Sequence, residues 1–172
     1  MKSAPTAQIA PATTQLERFV PFKIYRVLAK LAVIASADYA AWEISIQEAR
    51  LLLLVLERPG ISAGDLCAAA CVEASALSHM LRHLVAKNML HRERNPTERR
   101  SVQIYLTDSG AVIARRCQQV SAKHQGILLS GLKKKDVESL HAILDHMLQN
   151  VTPQEPGPSP WQDISRAPRA SR

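Results

Sequence analysis

The fold is decided between residues 62 and 107, in the stretch SAGDLCAAACVEASALSHMLRHLVAKNMLHRERNPTERRSVQIYLT. Ser62 is a favourable N-cap for a first short helix, and Asp65 places a negative charge in the first turn of that helix. A turn is predicted at residues 71–73, and a second helix follows at about residues 74–87. Two helices joined by so short a turn predict a helix-turn-helix.

The second predicted helix has two different faces. Leu77, Leu81 and Leu84 recur every three or four residues, so they form an apolar stripe that packs inward. The outward face carries short polar side chains followed by longer basic ones: Ser75, Ser78, His79, Arg82 and His83. Hydroxyl groups bind phosphates or base edges, and an arginine forms two hydrogen bonds with guanine. This helix is therefore predicted to enter the major groove of DNA.

Two strands of alternating apolar and polar residues follow, at residues 89–94 and 101–106. The loop between them, NPTERR at residues 95–100, contains turn-forming residues that predict a β-hairpin. Arg99 and Arg100 near its tip suit a narrow minor groove, where the negative potential of the phosphates is concentrated. The tip is a wing. The predicted fold is mainly α with a small β-hairpin wing, a winged helix-turn-helix with dimerisation helices at both ends.

The stretch from residue 45 to residue 110 resembles the core of the MarR family of bacterial transcriptional regulators. The resemblance depends most on the hairpin tip and on the LTDSG run at residues 106–110, and the flanking helices extend it to about residues 16–148. In this family the tip carries an acidic residue, one further residue and an arginine, matched here by Glu98, Arg99 and Arg100. Two positions depart from the pattern: Glu98 replaces the more usual aspartate, and Asn88 stands where glycine is common.

Two features upstream concern where helices begin. Residues 45–48, SIQE, form a capping-box pattern that starts a helix at residues 46–56. Four consecutive leucines at positions 51–54 predict that this helix is buried nearly all round. Before it, an apolar helical pattern begins at Leu16 but contains Pro21, so the helix either starts at this proline or is kinked there.

After the hairpin, residues 108–129 and 133–150 are predicted to form two more helices. The last has a continuous apolar stripe without a partner in its own small core, and such helices often pair between subunits. Resemblance to the MarR family implies the same, a homodimer formed by the first and the last two helices. The predicted organisation is a flexible arm (1–14), a dimerisation helix (15–44), the winged helix-turn-helix DNA-binding domain (45–107), C-terminal dimerisation helices (108–150) and a disordered proline-rich tail (151–172).

Composition favours a polyanionic partner. The formal net charge is +7 and the pI is near 9.7, although basicity alone does not distinguish DNA from RNA or anionic lipid. Aromatic residues make up only 4% of the chain, so stacking on single-stranded bases is disfavoured and duplex DNA is preferred over RNA. No apolar run is long enough to span a bilayer, and the signal-peptide layout is missing, so we expect a cytoplasmic protein without a membrane partner.

Other kinds of site have weaker support. His79 and His83 have the spacing of a metal pair, but no third ligand is evident nearby, so no metal site is predicted. Cys67 and Cys71 are also four residues apart. With Cys117 they leave a thiol sensor open, although cysteine is more commonly a small apolar core residue. A phosphate-binding glycine loop, a nucleophile elbow and a spaced carboxylate pair are all missing, so neither an enzyme nor a cofactor is predicted.

A small effector is implied by the resemblance alone. MarR-family proteins bind small, often aromatic and anionic molecules in the cleft between the dimer helices and the winged domain. Here that cleft would draw on Phe22, Arg26, Tyr39, Trp42, Arg50 and either Arg115 or Arg116. The alternative for Arg50 is that it faces solvent or pairs with Glu43 or Glu57.

These observations predict a ligand-responsive transcriptional regulator, a repressor that binds a pseudo-palindromic operator as a homodimer. It would be released by a phenolic acid, another aromatic carboxylate or the coenzyme A thioester of one. The residues predicted to contact DNA are Ser75, Ser78, His79 and Arg82 in the major groove and Arg99 and Arg100 in the minor groove. Two alternatives stay open: a thiol- or metal-sensing regulator of the same fold, and a winged-helix module that binds protein.

Overall fold

The computed structural model describes residues 15–94 and 102–152. The predicted arm at residues 1–14, the hairpin tip with Glu98, Arg99 and Arg100, and the tail from residue 153 lie outside the described residues. The elements follow in the order α1 (Gln15–Arg18), α2 (Val20–Ala40), α3 (Ile46–Glu57), β1 (Ile61–Ser62), α4 (Ala63–Ala70), α5 (Ala74–Ala86), β2 (Leu90–Arg94), β3 (Val102–Leu106), α6 (Asp108–Leu128) and α7 (Lys134–Val151). The chain divides between Leu128 and Leu129 into a larger and a smaller compact unit.

Pro21 lies in the first turn of α2. Proline is tolerated there because the amide hydrogen that it lacks would have no partner within the helix. Of the two alternatives for this residue, a helix start is therefore confirmed and a kink is not. The pattern that begins at Leu16 is divided into two helices, since the four-residue α1 precedes α2.

Helix α3 lies at the centre of the larger unit, packed against α4, α6 and β3. The predicted capping box is confirmed: Ser45 Oγ accepts a hydrogen bond from the Glu48 amide at 3.1 Å, and the Glu48 carboxylate accepts one from the Ser45 amide at 2.8 Å. The expectation that this helix is buried nearly all round is wrong, because Arg50 and Glu57 are exposed. Its fully buried apolar side chains are Leu51, Leu52 and Val55. The helix thus keeps one polar stripe toward water.

The helix-turn-helix consists of α4 and α5. Ser62 caps α4 as predicted, because its hydroxyl accepts a hydrogen bond from the Asp65 amide at 3.1 Å. Cys71 ends α4 in the left-handed conformation, with φ of +52°, and this sharp change of direction starts the turn into α5. The inward stripe of α5 is buried and consists of Leu77, Met80, Leu81 and Leu84.

The sheet has three antiparallel strands in the order β1-β3-β2. β2 and β3 form the predicted hairpin, with Leu90 paired to Leu106. β1 pairs Ile61 with Ile104, and the sequence does not predict it because two residues carry no periodicity. The mainly helical winged helix-turn-helix is confirmed, with a three-stranded sheet in place of a two-stranded hairpin.

Asn88 and Gly110 join the end of α5 to the start of α6. Asn88 has a left-handed backbone with φ of +54°, as predicted for the position after a helix. Its carbonyl oxygen accepts hydrogen bonds from the hydroxyl groups of Thr107 at 2.6 Å and Ser109 at 2.5 Å. Gly110 packs so closely that a Cβ there would lie 1.8 Å from the carbonyl oxygen of Met89. The LTDSG run therefore sets where α6 begins relative to the exit from α5.

The smaller unit contains α7, which begins and ends one residue later than predicted. None of its residues is fully buried. Four of its large apolar side chains, Ile143, Leu144, Leu148 and Val151, are exposed. The helix thus leaves an apolar stripe uncovered in the single subunit.

Candidate nucleic-acid interface

Helix α5 presents the predicted major-groove residues on one exposed face. Ser75, Ser78, His79 and Arg82 are all exposed, and their spacing of three and four residues places them on the same side of the helix. Arg82 Nε donates a hydrogen bond to the Ser78 carbonyl oxygen at 3.4 Å, a long contact that a better acceptor can replace. The face offers hydroxyl, imidazole and guanidinium groups to a ligand that approaches from outside the fold.

His83 lies at the edge of this face, and the prediction that it points outward with the others is wrong. Its ring is only half-exposed, and its Nδ1 lies 2.5 Å from Oε1 of Glu48 on α3. An ionised carboxylate can only accept, so Nδ1 donates this hydrogen bond. Position 83 is four residues after His79 and so about 40° further around the helix, and the contact with Glu48 turns the side chain of His83 toward α3.

One turn further along α5, Lys87 makes a second contact of the same kind. Its Nζ donates a hydrogen bond to Oε2 of Glu43 at 2.6 Å. Glu43 has a left-handed backbone, with φ of +52°, in the turn between α2 and α3. The C-terminal half of α5 is therefore connected to both sides of Ser45, the N-cap of α3.

Strand β2 adds basic residues that the sequence pattern did not single out. Arg92 and Arg94 are exposed, and β2 leads directly into the hairpin tip. His91 instead stacks on Tyr105, with ring centroids 5.6 Å apart, and donates a hydrogen bond to Glu93 at 3.1 Å. Because side chains alternate across a strand, the pattern HRER separates the two arginines from the other pair. The alternation of residues along the strand could have identified Arg92 and Arg94 from the sequence as two basic residues on one face.

A cavity of about 750 Å³ lies between the helix-turn-helix and the sheet. Its lining is mainly apolar and includes Leu77, Leu81 and Ile104. Ser78 of α5 and Arg92 of β2 also line it. Its volume is within the range of small-molecule sites, and an occupant would contact Ser78, which belongs to the exposed face of α5.

The three cysteines differ in exposure. Cys71 is exposed, Cys67 is half-buried and Cys117 is buried. Cys67 and Cys71 both line the cavity described above, and the Cys67 thiol donates a hydrogen bond to the Val72 carbonyl oxygen at 2.8 Å. Burial raises the pKa of Cys117 to about 11, so this thiol is protonated at neutral pH and serves as a small core residue. A reactive thiol would therefore have to be Cys67 or Cys71.

The predicted effector residues on α2 lie at its two ends. Near the start, the guanidinium carbon of Arg26 is 5.9 Å from the centroid of the Phe22 ring. Near the end, Tyr39 is buried and its ring centroid is 6.2 Å from that of Trp42. The two pairs are about 25 Å apart along the helix. A simple aromatic acid is too short to contact both pairs within a single subunit.

Arg50 lies apart from both pairs. It is exposed on α3 and borders a cleft of about 260 Å³ that Glu57, Ala69 and Ala70 also line. This position is consistent with the alternative in which Arg50 faces solvent. Arg115 and Arg116 are likewise exposed, on α6.

Polar contacts beside Tyr39 connect α2 to α6. Asp38 accepts hydrogen bonds from His124 at 2.8 Å and from Lys123 at 3.0 Å. These two donors, His124 foremost, hold the pKa of Asp38 below its ordinary value of 3.8. The Tyr39 hydroxyl lies 3.2 Å from Ser121 Oγ. Tyr39 is thus part of a structural connection between the two helices.

Two further properties concern only the residues that the structure describes. No group of three or more histidines, cysteines and carboxylates there is arranged to hold a metal ion. None of the helices in residues 15–94 and 102–152 combines the length and the hydropathy needed to cross a membrane.

Part of the chain is similar in sequence to known proteins. Residues 44–102 match the MarR family. The multiple antibiotic resistance protein MarR of Escherichia coli (strain K12) is 36% identical over 84 residues, which are 48% of this chain and 55% of that protein. The same protein of Salmonella typhimurium (strain LT2) is 33% identical over equal shares of both chains. The chain thus spans about half the length of the curated relatives that it matches.

Solved structures extend the similarity over more of the chain. A MarR-family transcriptional regulator from Silicibacter pomeroyi has a TM-score of 0.73 and 26% identity, covering 81% of this chain and 94% of that one. A cysteine-to-serine mutant of Escherichia coli MarR, complexed with operator DNA, has a TM-score of 0.69 and 25% identity, covering 78% and 99%. The shared fold therefore includes the helices that flank the winged region.

Proposed function

Since the chain carries a domain of the MarR family, which confirms the resemblance seen in its sequence, we propose that it is a transcriptional regulator that binds duplex DNA. The observation that carries this proposal is the exposed face of α5, where Ser75, Ser78, His79 and Arg82 lie together. Such groups bind phosphates and base edges. They lie on the second helix of a helix-turn-helix, which enters the major groove in proteins with this motif. A relative with the same fold was solved with operator DNA.

Basic residues of the wing complete the proposed interface. Arg92 and Arg94 continue the positive charge from α5 toward the hairpin tip, and the net charge of +7 agrees with a polyanionic partner. Arg99 and Arg100, which lie outside the described residues, are proposed to enter the minor groove, because its narrow form concentrates the negative potential of the phosphates.

We further propose that the protein acts as a homodimer on a pseudo-palindromic operator. Exposed apolar side chains support an interface that a second copy covers. On α2 they are Val20, Tyr25, Val27, Leu28, Val33 and Ile34, and on α7, in the smaller unit, they are Ile143, Leu144, Leu148 and Val151. Monomeric soluble proteins seldom leave so many large apolar side chains exposed on single helices. A two-fold dimer would place two copies of α5 about one DNA turn apart, roughly 34 Å.

The proposed regulation is release of a repressor by a small aromatic acid, such as a phenolic acid or its coenzyme A thioester. Arg26 lies beside Phe22 at the start of α2, where its guanidinium, which also pairs with Glu17 at 3.3 Å, and the ring would contact such a molecule. The cavity beneath α5 offers the same combination of apolar lining and a cation, Arg92. A ligand that binds only one arrangement of the two recognition helices removes the other arrangement from the DNA-bound population.

A thiol-sensing regulator is a second candidate, favoured by one observation. Cys71 is exposed, and it lines the cavity beneath α5 together with Cys67. Modification of either thiol would therefore occur beside Ser78. If DNA binding is lost on treatment with an alkylating reagent in the native protein but retained in Cys71→Ser, this candidate is supported.

The decisive experiment is fluorescence anisotropy of the full chain on the duplex upstream of its own gene, at several salt concentrations. We expect tight binding. The logarithm of the binding constant should fall steeply and linearly with the logarithm of the salt concentration, because each phosphate contact releases a counterion. A panel of aromatic acids and their thioesters then tests for release. Binding that is absent or insensitive to salt would contradict DNA binding on that fragment and favour the protein-interaction alternative.

A further inference from the structure

Two acidic residues on either side of Ser45 contact the C-terminal half of α5. Glu48 Oε1 accepts a hydrogen bond from His83 Nδ1 at 2.5 Å, and Glu43 Oε2 accepts one from Lys87 Nζ at 2.6 Å. His83 and Lys87 are four residues apart, which is about one helical turn. The two contacts therefore lie along one side of α5, at the edge of the face that carries His79.

The two contacts differ in how firmly their acceptors are held. Glu43 has a side chain that is 82% exposed, whereas that of Glu48 is 8% exposed. The second oxygen of Glu48, Oε2, accepts hydrogen bonds from the amide of Ser45 at 2.8 Å and from its hydroxyl at 2.9 Å. Because both carboxylate oxygens are engaged, Glu48 cannot rotate without breaking the cap of α3. His83 therefore binds to an acceptor that is fixed to the core.

The charge of Glu48 is also maintained. Burial by itself would raise the pKa of this carboxyl, but hydrogen bonds from the Ser45 amide, from His83 and from the Ser45 hydroxyl outweigh burial and hold it below its ordinary value of 4.5. Glu48 is therefore an anionic acceptor at neutral pH. Hydrogen bonds that involve an ionised partner are shorter and stronger than neutral ones.

We propose that Glu48 is a positioning residue for DNA recognition, which through His83 sets the rotation of α5 about its own axis. This inference rests on the proposed function. A rotation of about 20° would move side-chain tips at the outer radius of a helix, about 5 Å from its axis, by roughly 2 Å. Such a displacement is large compared with the range of hydrogen-bond distances. Ser75, Ser78, His79 and Arg82 thus face the groove in the correct direction only while His83 is held.

The test is a double-mutant cycle measured on operator affinity in the full chain. Glu48→Gln keeps the shape of the side chain but removes its charge, and His83→Ala removes the donor. We expect each single variant to bind the operator about tenfold more weakly, and the double variant to bind no more weakly than the worse single one. The salt dependence of binding should stay as in the native protein, because no phosphate contact is lost.

Two variants serve as controls. Glu57→Gln makes the same chemical change at the exposed end of the same helix, and its affinity should equal that of the native protein. Arg82→Ala removes a proposed DNA contact, and it should reduce the salt slope by about one if the contact is to phosphate. Thermal unfolding of every variant establishes that the compared proteins are folded.

Three results would overturn the inference while leaving DNA binding in place. They are native affinity in Glu48→Gln, additive effects in the double variant, and a reduced salt slope in His83→Ala, which would mean that His83 itself contacts phosphate. If Glu48→Gln does not fold, His83→Gln decides, because its amide can still donate to Glu48 and should restore most of the affinity that His83→Ala loses. Failure of the native protein to bind any duplex would instead refute the proposed function and this inference together.

Discussion

The two halves of α5 are held in different ways. In the N-terminal half, the side chains of Ser75, Ser78 and His79 have no hydrogen-bond partner among residues 15–94 and 102–152, and Glu73 at the N-cap makes no side-chain cap. In the C-terminal half, His83 and Lys87 each contact a carboxylate near the start of α3. The helix therefore combines unengaged donors at one end with an anchored end at the other.

This difference separates two requirements of recognition. Groups that read DNA must be free to exchange water for bases and phosphates, since a donor already engaged within the protein gains little from a new partner. The orientation of the same helix must be set before DNA arrives, because ordering it during binding would weaken the affinity. Free donors in one half and anchoring contacts in the other satisfy both requirements.

Gly110→Ala should have the largest effect, because the added methyl group pushes the start of α6 away from Met89, in the segment that follows α5. The new Cβ would lie 1.8 Å from the Met89 carbonyl oxygen, so the backbone must shift. We expect the free energy of unfolding to fall by about 3 kcal/mol or more, as measured by urea denaturation followed by circular dichroism. Gly126→Ala on the same helix is the matched control, because nothing lies within 4 Å of its added Cβ. Equal stability of the two variants would contradict this packing.

Arg82→Ala tests the free face of α5. We expect operator affinity to fall by about 1–3 kcal/mol, with unchanged stability, because the exposed guanidinium makes only one long contact with the described residues. Lys135→Ala removes an equal charge from an exposed position on α7 and should have little effect. Equal losses of affinity in both variants would show that net charge matters and that the position on α5 does not.

Arg100→Ala extends the comparison to the wing. Loss of one proposed minor-groove cation should weaken DNA binding without unfolding the protein, and the slope of the logarithm of affinity against that of salt should fall by about one. Anisotropy titrations together with size-exclusion chromatography measure both properties. Unchanged affinity would remove the wing from the proposed interface.

The smallest expected effect is the loss of stability in acid that results from protonation of Glu48, the partner of His83. The folded-state pKa of Glu48 is lowered from 4.5, so its stabilising contribution is present above that value and is lost as the pH falls through the lower folded value. Urea midpoints measured between pH 7 and pH 3 should therefore fall less steeply in Glu48→Gln than in the native protein. Asp38 and Glu43 also have lowered pKa values, but both proteins retain them. Identical curves would mean that Glu48 contributes nothing to this loss.

Local chemistry explains which features were predictable. Ser45 with Glu48, Ser62 with Asp65, and Asn88 after α5 act within three residues or at a single backbone position, so the types and spacing of these residues suffice to predict them. The exposed face of α5 was predictable for the same reason, since a period of 3.6 residues separates four of its polar residues from the buried leucines.

Features that depend on distant partners were not predictable. His83 is polar and lies next to Arg82, and only the contact between its ring and the Glu48 carboxylate, 35 residues away in sequence, shows that it turns toward α3. β1 is defined by its pairing with β3, and Gly110 is required because of Met89. The direction of Arg92 toward the cavity likewise depends on how the sheet packs beside α5.

The sequence by itself determined the order and type of the elements apart from β1 and the division between α1 and α2, the caps that start two of the helices, and four residues of the outward face of α5. These follow from helical and strand periods and from hydrogen bonds between near neighbours, which are the same in any context. Only the tertiary structure decided that α5 is anchored through Glu48 and Glu43, that α6 begins against Met89, and that two cysteines line a cavity beneath α5. These contacts join segments far apart in the chain, and their existence depends on how the buried faces pack together.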